Sequence, residues 1–331
     1  MLPEDRRKIN ESILEVIGRT PLVRLQHLPE DAVGQVLMKC EYLNPSGSVK
    51  DRMTINMIET AEKEGKIDPS RTQIVEASSG NTAISLSMVC AAKGYKIKIY
   101  FPEATMVPEK IAYLKRFGAE LEETPLDYDQ ADDMAKQAGL HGAAIEVPGR
   151  VKALEDEKRD PSVYWTRQFG NPANSQGQES IAYEILEQTN GKVDAFVASI
   201  GTGGTVLGAG SVLKKEVPGV KIIAVQPTGW EGWTDPLSPE TKYIPGITDG
   251  LNKEIRDSGL ADEVVWVGND EARDTAYLLS QKEGIMCGMS AGANVWVAMQ
   301  EARKPEMKDK NIVAVLVDRG DRYFSDERYI T

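Results

Sequence analysis

Short, almost uninterrupted apolar runs alternate with longer segments of helical periodicity, and this alternation constrains the fold more than any other feature. VLMKCEYL, QIVEAS and KIKIYF are each followed by a helix-like stretch: RMTINMIETAEKEG, NTAISLSMVCAAKG and PEKIAYLKRFG. The second half repeats the habit with DAFVASI, VKIIAVQP and NIVAVLVD, separated by stretches such as DEARDTAYLLSQKEG and AGANVWVAMQEA. Strands that are apolar at nearly every position need cover on both faces of their sheet, and helices provide it. The pattern predicts an α/β protein with mainly parallel, twisted sheets covered by helices. A length of 331 residues favours two domains, with one sheet in each. Further along, DYDQADDMAKQAGLHG reads as polar and helical, and VPGRVKALEDEKRDPSVYW as charged and broken by prolines. The domain junction falls near the end of that second stretch.

In open α/β sheets, ligands gather at the carboxyl ends of strands, where helix N-termini point their free N–H groups. Four turns of this kind are unusual. In NPSGSVKDRM, Lys50 follows a small-residue turn and opens a helical pattern. It is either a solvated lysine or an amine nucleophile able to form a Schiff base with a carbonyl cofactor. It is no P-loop lysine, because the GxxxxGK[ST] pattern is absent and Asp51 stands where a hydroxyl is required. In SIGTGGTVLG, Gly201, Thr202, Gly203, Gly204 and Thr205 form either a tight strand–helix turn or a nest for one compact phosphate. A dinucleotide fingerprint is excluded, since Val206 stands where its last glycine belongs.

In EASSGNTAISL, Asn81 or Ser79 could simply cap the next helix. Ser78, Ser79, Asn81 and Thr82 together form a better receptacle for a carboxylate. In GIMCGMSAGANVW, the GMSAG run mimics a hydrolase nucleophile elbow, but no histidine follows Ser290 to complete a triad. Ser290 reads instead as a neutral hydroxyl that bonds a ligand or caps a helix. A lysine for an aldehyde, a nest for one phosphate and a neutral hydroxyl for a ring nitrogen together match pyridoxal 5′-phosphate, with a carboxylate pocket beside it for an amino acid.

Other classes fit poorly. The net charge of −12 and the lack of a basic stretch argue against a nucleic-acid partner. No apolar run approaches the ~20 residues of a membrane span, and MLPEDRRKIN lacks an apolar signal core. Cys40, Cys90 and Cys287 are widely spaced, and with only His27 and His141 beside them no metal site is expected. A cytoplasmic location is the expectation.

The order NPSGSVKDR, SSGNT, QFGNPAN, GTGGT, GMSAG resembles the cysteine synthase and cystathionine β-synthase family of fold-type II pyridoxal-phosphate enzymes. The resemblance runs from ILEVIGRTPLVRL at residues 13–25 to GDRYFS at 320–325. It implies that Lys50 carries the Schiff base and later removes the α-proton. It also implies that Asn81 bonds the cofactor's ring oxygen, that Gly201 to Thr205 hold its phosphate and that Ser290 faces its pyridine nitrogen. Ser78, Ser79, Asn81, Thr82 and Gln168 would hold the substrate's α-carboxylate. The implied domains are 47–165, with a closing segment at about 88–140, and 1–46 plus 166–331, with the cofactor in the cleft between them. A homodimer is usual for the family.

The implied reaction is β-replacement on an O-activated L-serine, O-acetylserine or O-phosphoserine, with sulfide to give L-cysteine through an aminoacrylate. Three places depart from the family pattern. SQGQES follows QFGNPAN where a Thr-Thr-Gly-Pro stretch is common, and Val317 and Asp318 stand where a Pro-Ser pair is usual. Asp318 is read as a strand-end carboxylate bonded to a local turn. In YIPGITDGL, Gly246 and Asp249 belong to a loop near the substrate's β-position, and Asp249 replaces a small residue. It is either a turn aspartate facing water or an inward charge. An inward Asp249 would favour a second reading, an enzyme that consumes L-cysteine or L-serine, releasing hydrogen sulfide or condensing with a thiol.

Overall fold

Alternate side chains of a strand point to opposite faces, and in the central strands of the larger sheet both faces are buried. The computed structural model describes residues 9–102, 105–125, 128–140, 146–228, 244–247 and 253–330. Its six-stranded sheet contains β1 (Leu22–Arg24), β2 (Gln35–Lys39), β7 (Ala195–Ser199), β8 (Lys221–Pro227), β9 (Glu263–Val267) and β10 (Asn311–Val315), in the order β1-β2-β10-β7-β8-β9. Ile312 and Ala314 of β10 enter one core with α9 (Asn269–Leu278) and α10 (Met289–Ala302). Their neighbours Val313 and Val315 enter the opposite core with α6 (Pro172–Thr189) and α7 (Gly204–Glu216). This two-sided burial is why the run reads as continuously apolar. All pairings are parallel except β1 with β2, an antiparallel edge too short to register in the sequence pattern.

The second sheet is wholly parallel: β5 (Glu120–Thr124), β4 (Lys96–Pro102), β3 (Gln73–Ala77) and β6 (Val163–Trp165), in that order. Ile74, Ile97 and Ile99 face a core with α1 (Lys50–Lys63), α2 (Asn81–Lys93) and Leu114 of α3 (Pro108–Arg116). Val75, Tyr100 and Trp165 face the other way, against Ala153 of α5 (Val147–Arg159). The expected α/β class with two helix-covered sheets is what the chain adopts.

The stretch from 147 to 165 differs from expectation, being one unbroken helix followed by a strand. Pro148 lies in the first turn of α5, where a missing N–H removes no helical bond, and Pro161 falls after its end. The polar DYDQADDMAKQAGLHG stretch does contain a helix, α4 (Tyr128–Ala138). Among the described residues the remaining α-helices are the short α8 (Lys253–Ser258) and α11 (Glu327–Ile330).

The extension of β10 ties the informative turns together. Val49 N–H donates to Val317 O at 2.8 Å, and Gly288 N–H donates to Asp318 O at 3.1 Å. Two isolated bridges, Ser48 with Asp318 and Cys287 with Arg319, extend the join. The Lys50 turn and the Ser290 turn therefore share one backbone scaffold.

Candidate active site

The turn before α1 is built to hold Lys50 still. Asp51 accepts hydrogen bonds from Ser46 N–H at 2.7 Å and from the Ser46 hydroxyl, cinching the turn from inside the helix. Gly47 has φ +89°, and a Cβ there would lie 2.6 Å from Arg322 Nη2, so both backbone and space demand glycine. Lys50 is the first helical residue and only partly exposed. Among the described residues its Nζ has no hydrogen-bond or ion-pair partner. Burial pushes its pKa down to about 8, against the pull of the Asp318 and Glu146 carboxylates, which favour the charged form.

Two residues beyond Lys50, the scaffold is ionic. Arg52 donates to Glu41 through Nε at 2.7 Å and Nη2 at 2.8 Å, and to Glu184 through Nη1 at 2.6 Å and Nη2 at 2.8 Å. Lys39 adds Nζ contacts to Glu184 at 2.6 Å and to Thr20 O at 2.7 Å. This cluster joins β2, α1 and α6 behind the Lys50 turn.

The Gly201–Thr205 turn lies against the amine. A Cβ on Gly201 would stand 3.6 Å from Lys50 Nζ and 2.8 Å from Gly246 O, so only glycine lets these three segments converge. Gly203 takes φ +83° as N-cap of α7, with no side-chain cap on that helix. Thr202 Oγ1 accepts from Asn174 Nδ2 at 2.8 Å, which fastens the turn to the start of α6. Where Thr202 and Gly204 meet Gly170 and Asn171, the surface opens into a cavity of about 220 Å³.

At the β3–α2 turn, Ser78, Ser79, Asn81 and Thr82 are all buried. Neither Ser79 nor Asn81 caps the helix: Gly80 is the N-cap, and it has no side-chain bond. Asn81 is instead clamped at both ends of its amide. Its Nδ2 donates to Asp318 Oδ2 at 2.7 Å, and its Oδ1 accepts from Arg322 Nη1. Gln168 joins the same turn from across the sheet, donating through Nε2 to Ala77 O at 2.7 Å and to Glu146 Oε2 at 3.1 Å. Glu146 Oε1 accepts from Ser79 N–H at 3.2 Å.

Ser290 is fully buried at the start of α10, and its hydroxyl has no partner there. It does not cap the helix, whose N-cap is Gly288. A Cβ on Gly246 would lie 3.5 Å from Ser290 Oγ, which brings that loop to the same place. Asp249 lies outside the described residues.

The residues singled out in the sequence thus form two neighbouring groups. Lys50, Gly201, Gly246 and Ser290 meet around one point, while Ser78, Ser79, Asn81, Thr82 and Gln168 line the mouth of α2. Sequence reasoning missed Glu146, Arg322 and Asn174, and it undervalued Asp318. Asp318 does bond locally, accepting from the Tyr323 hydroxyl, but it also reaches Asn81 and biases Lys50. No spacing rule marks such groups, because their partners lie at unrelated separations, from 5 residues for Asp318 and Tyr323 to 276 for Arg322 and Ser46. Among the described residues no cluster of His, Cys, Asp or Glu is fit to hold a metal ion, and no helix is long and apolar enough to cross a membrane.

Residues 13–318 match a family model described as pyridoxal-phosphate dependent enzyme. A cysteine synthase of Staphylococcus aureus is 40% identical over 328 residues, which cover 96% of this chain and 97% of the relative. Among solved structures, a cysteine synthase from Entamoeba histolytica superposes with a TM-score of 0.85 at 35% identity, covering 100% of this chain and 94% of that one. A hydrogen sulfide-producing enzyme from Fusobacterium nucleatum superposes with a TM-score of 0.80 at 33% identity, covering 96% and 100%.

Proposed function

The chain belongs to the family of pyridoxal-phosphate dependent enzymes, and from that premise we propose that it makes L-cysteine. The substrate is an O-activated L-serine, O-acetylserine or O-phosphoserine, whose β-substituent is replaced by sulfide. The observation that carries this reading is a lysine amine of depressed pKa, about 8, beside a glycine turn that in turn meets the Gly246 loop and its neighbour, the orphaned buried Ser290 hydroxyl.

These residues fit the cofactor on their own chemistry. Ser290 Oγ is a buried polar atom without a partner, a state that costs about 1–3 kcal/mol until a ligand atom meets it. The Thr202–Thr205 backbone opens an uncapped helix of thirteen residues, whose N–H groups and dipole suit a phosphate. When bound, pyridoxal phosphate supplies an aldehyde for an amine and a ring that draws electron density from the Cα–H bond.

The chain's own residues do the rest. Near neutral pH a usable fraction of Lys50 is the free amine, able to bond a carbonyl carbon and afterwards to take the α-proton at Nζ. A serine hydroxyl carries no charge, so Ser290 would leave the ring nitrogen largely unprotonated and favour β-elimination over transamination. Asn81, held by Asp318 and Arg322, would meet the ring oxygen. Ser78, Ser79, Thr82 and Gln168 would hold the α-carboxylate at the mouth of α2, where the helix dipole favours an anion.

Closure of residues 88–140 over the bound amino acid, and a division into 47–165 and 1–46 plus 166–331, belong to the same reading. The separation of β3–β6 from the other strands supports that division. A cytoplasmic homodimer completes it, and light scattering would find twice the 36.4 kDa chain mass. The decisive experiment supplies purified holoenzyme with O-acetylserine and sulfide. Cysteine formation above the protein-free background is expected, and its absence refutes the assignment.

The likeness to a hydrogen sulfide-producing enzyme favours a second reading, turnover of L-cysteine or L-serine, with Asp249 activating water or a thiol. An Asp249→Ala variant that loses cysteine turnover while gaining on O-acetylserine supports it. Unchanged rates on both sink it.

A further inference from the structure

The pocket assigned to the substrate's carboxylate already holds a carboxylate from the chain itself. Glu146 places Oε1 3.2 Å from Ser79 N and Oε2 3.1 Å from Gln168 Nε2, so its two oxygens meet two donors from separate segments. The residue is 9% exposed. It stands at the N-cap of α5, yet its side chain makes no capping bond to that helix. Both of its carboxylate oxygens point to pocket donors rather than to the N-terminus of its own helix.

Gln168 is fixed independently of Glu146. Gln168 Nε2 also donates to Ala77 O, and Gln168 N–H donates to the buried Glu76 carboxylate at 2.9 Å. Glu76 is held in turn by Trp165 Nε1 at 2.8 Å and the Thr166 hydroxyl at 2.6 Å. The Gln168 donor is thus held in place by the chain whether or not Glu146 is present. Two carboxylates cannot share such a pocket without strong like-charge repulsion. One can replace the other, leaving both donors satisfied and the anion near Lys50 retained.

Resting on the functional reading above, we propose that Glu146 is an internal occupant of the carboxylate pocket, displaced by the incoming amino acid, and that it thereby sets substrate affinity. An occupant present about nine-tenths of the time weakens apparent binding about tenfold, since only the open fraction is competent.

The test uses Glu146→Ala and Glu146→Gln. In the holoenzyme, Glu146→Ala should lower the KM for O-acetylserine about tenfold and raise kcat/KM with it. Glu146→Gln is isosteric and should fall between, because it keeps an acceptor for Ser79 but turns an amide NH2 toward Gln168. A KM that is unchanged or higher in both variants overturns the proposal.

A second readout needs no turnover. Melting temperatures of the apoproteins are compared in sodium acetate and in sodium chloride of equal ionic strength, acetate serving as the carboxylate probe. Acetate should raise the melting temperature of Glu146→Ala more than that of the wild type, and an equal response in both overturns the proposal. Holoenzyme that makes no cysteine refutes the functional reading instead, and the acetate comparison still decides the role of Glu146.

Discussion

Lys50 and Arg52 sit two residues apart on the first turn of α1, and both bring a cation out of water. Their fates are opposite. For Arg52, burial alone would favour loss of the proton, but Glu41 and Glu184 outweigh it and raise its pKa well above the usual guanidinium value. Every contact there is matched: a fork of N–H donors on two carboxylates, themselves bonded to Thr20 and Lys39. For Lys50 burial wins, because Asp318 and Glu146 act from a distance and no group among the described residues bonds the amine. The matched cluster fixes the helix, and the unmatched neighbour remains available for chemistry. Mutations should therefore separate the two, one reading out in rate and the other in stability.

The largest effect is expected at Lys50. Lys50→Ala should reduce cysteine formation by more than about a thousandfold, because among the described residues no other amine is placed at the site to act as nucleophile and base. The same variant should unfold no more easily than the wild type, since below about pH 8 the native state bears the desolvation cost of the buried ammonium. Activity assays paired with urea unfolding check both halves, and a marked loss of stability would break the contrast.

Arg52→Ala should do the reverse. Removing Arg52 takes the cation from the buried Glu41 carboxylate and leaves Glu184 paired with Lys39, at an expected cost of about 3–5 kcal/mol. Urea midpoints of the apoprotein measure it. Glu184 supplies the pH counterpart. Burial alone would raise its pKa, but hydrogen bonds and charge from Arg52 and Lys39 hold it at about 2, below the ordinary 4.5. A depressed carboxylate stabilises the fold above its unfolded pKa, and this contribution is lost as pH falls from 4.5 toward 2. The loss should amount to about 3 kcal/mol across that window and be absent in Glu184→Gln.

How much of this contrast the sequence could reveal follows from the range of the forces involved. Strand–helix alternation is a local signal, so both sheets and the turns at their edges were legible, as were Lys50, Gly201 and Ser290 within those turns. The proline-rich stretch at 147–165 misled because a helix tolerates Pro148 in its first turn, and only the N-terminal boundary distinguishes that from a break. Glu146 was invisible for a different reason. Its partners, Ser79 and Gln168, are 67 and 22 residues away in sequence, and no periodicity links them. Arg52 likewise reads as an ordinary charged helix residue until Glu184, 132 residues on, comes to meet it.

Ser290→Ala should give a smaller effect of mixed sign. The orphaned hydroxyl carries an unmet desolvation cost in the apoprotein, so removing it should stabilise that form by about 1 kcal/mol. The holoprotein should lose that advantage, because the group that would meet the ring nitrogen is gone. Melting curves with and without added pyridoxal phosphate measure both changes. A variant destabilised in both forms would place Ser290 with the structural residues.

The smallest and most discriminating effect concerns the charge state of Lys50 itself. In the apoprotein its amine should react with an acylating reagent along a pH curve centred at about 8, well below that of an exposed lysine. Asp318 is one of two carboxylates that oppose this depression, so Asp318→Asn removes an anion that favours the ammonium. The labelling curve should then shift further down in pH. An asparagine can still accept from Asn81 Nδ2 or the Tyr323 hydroxyl, so the clamp on Asn81 is weakened rather than abolished. An upward shift would mean that water reaches the amine once the carboxylate is neutralised. Asp318 would then act by keeping the site dry, and the difference between Lys50 and Arg52 would be one of solvent access rather than of paired charge.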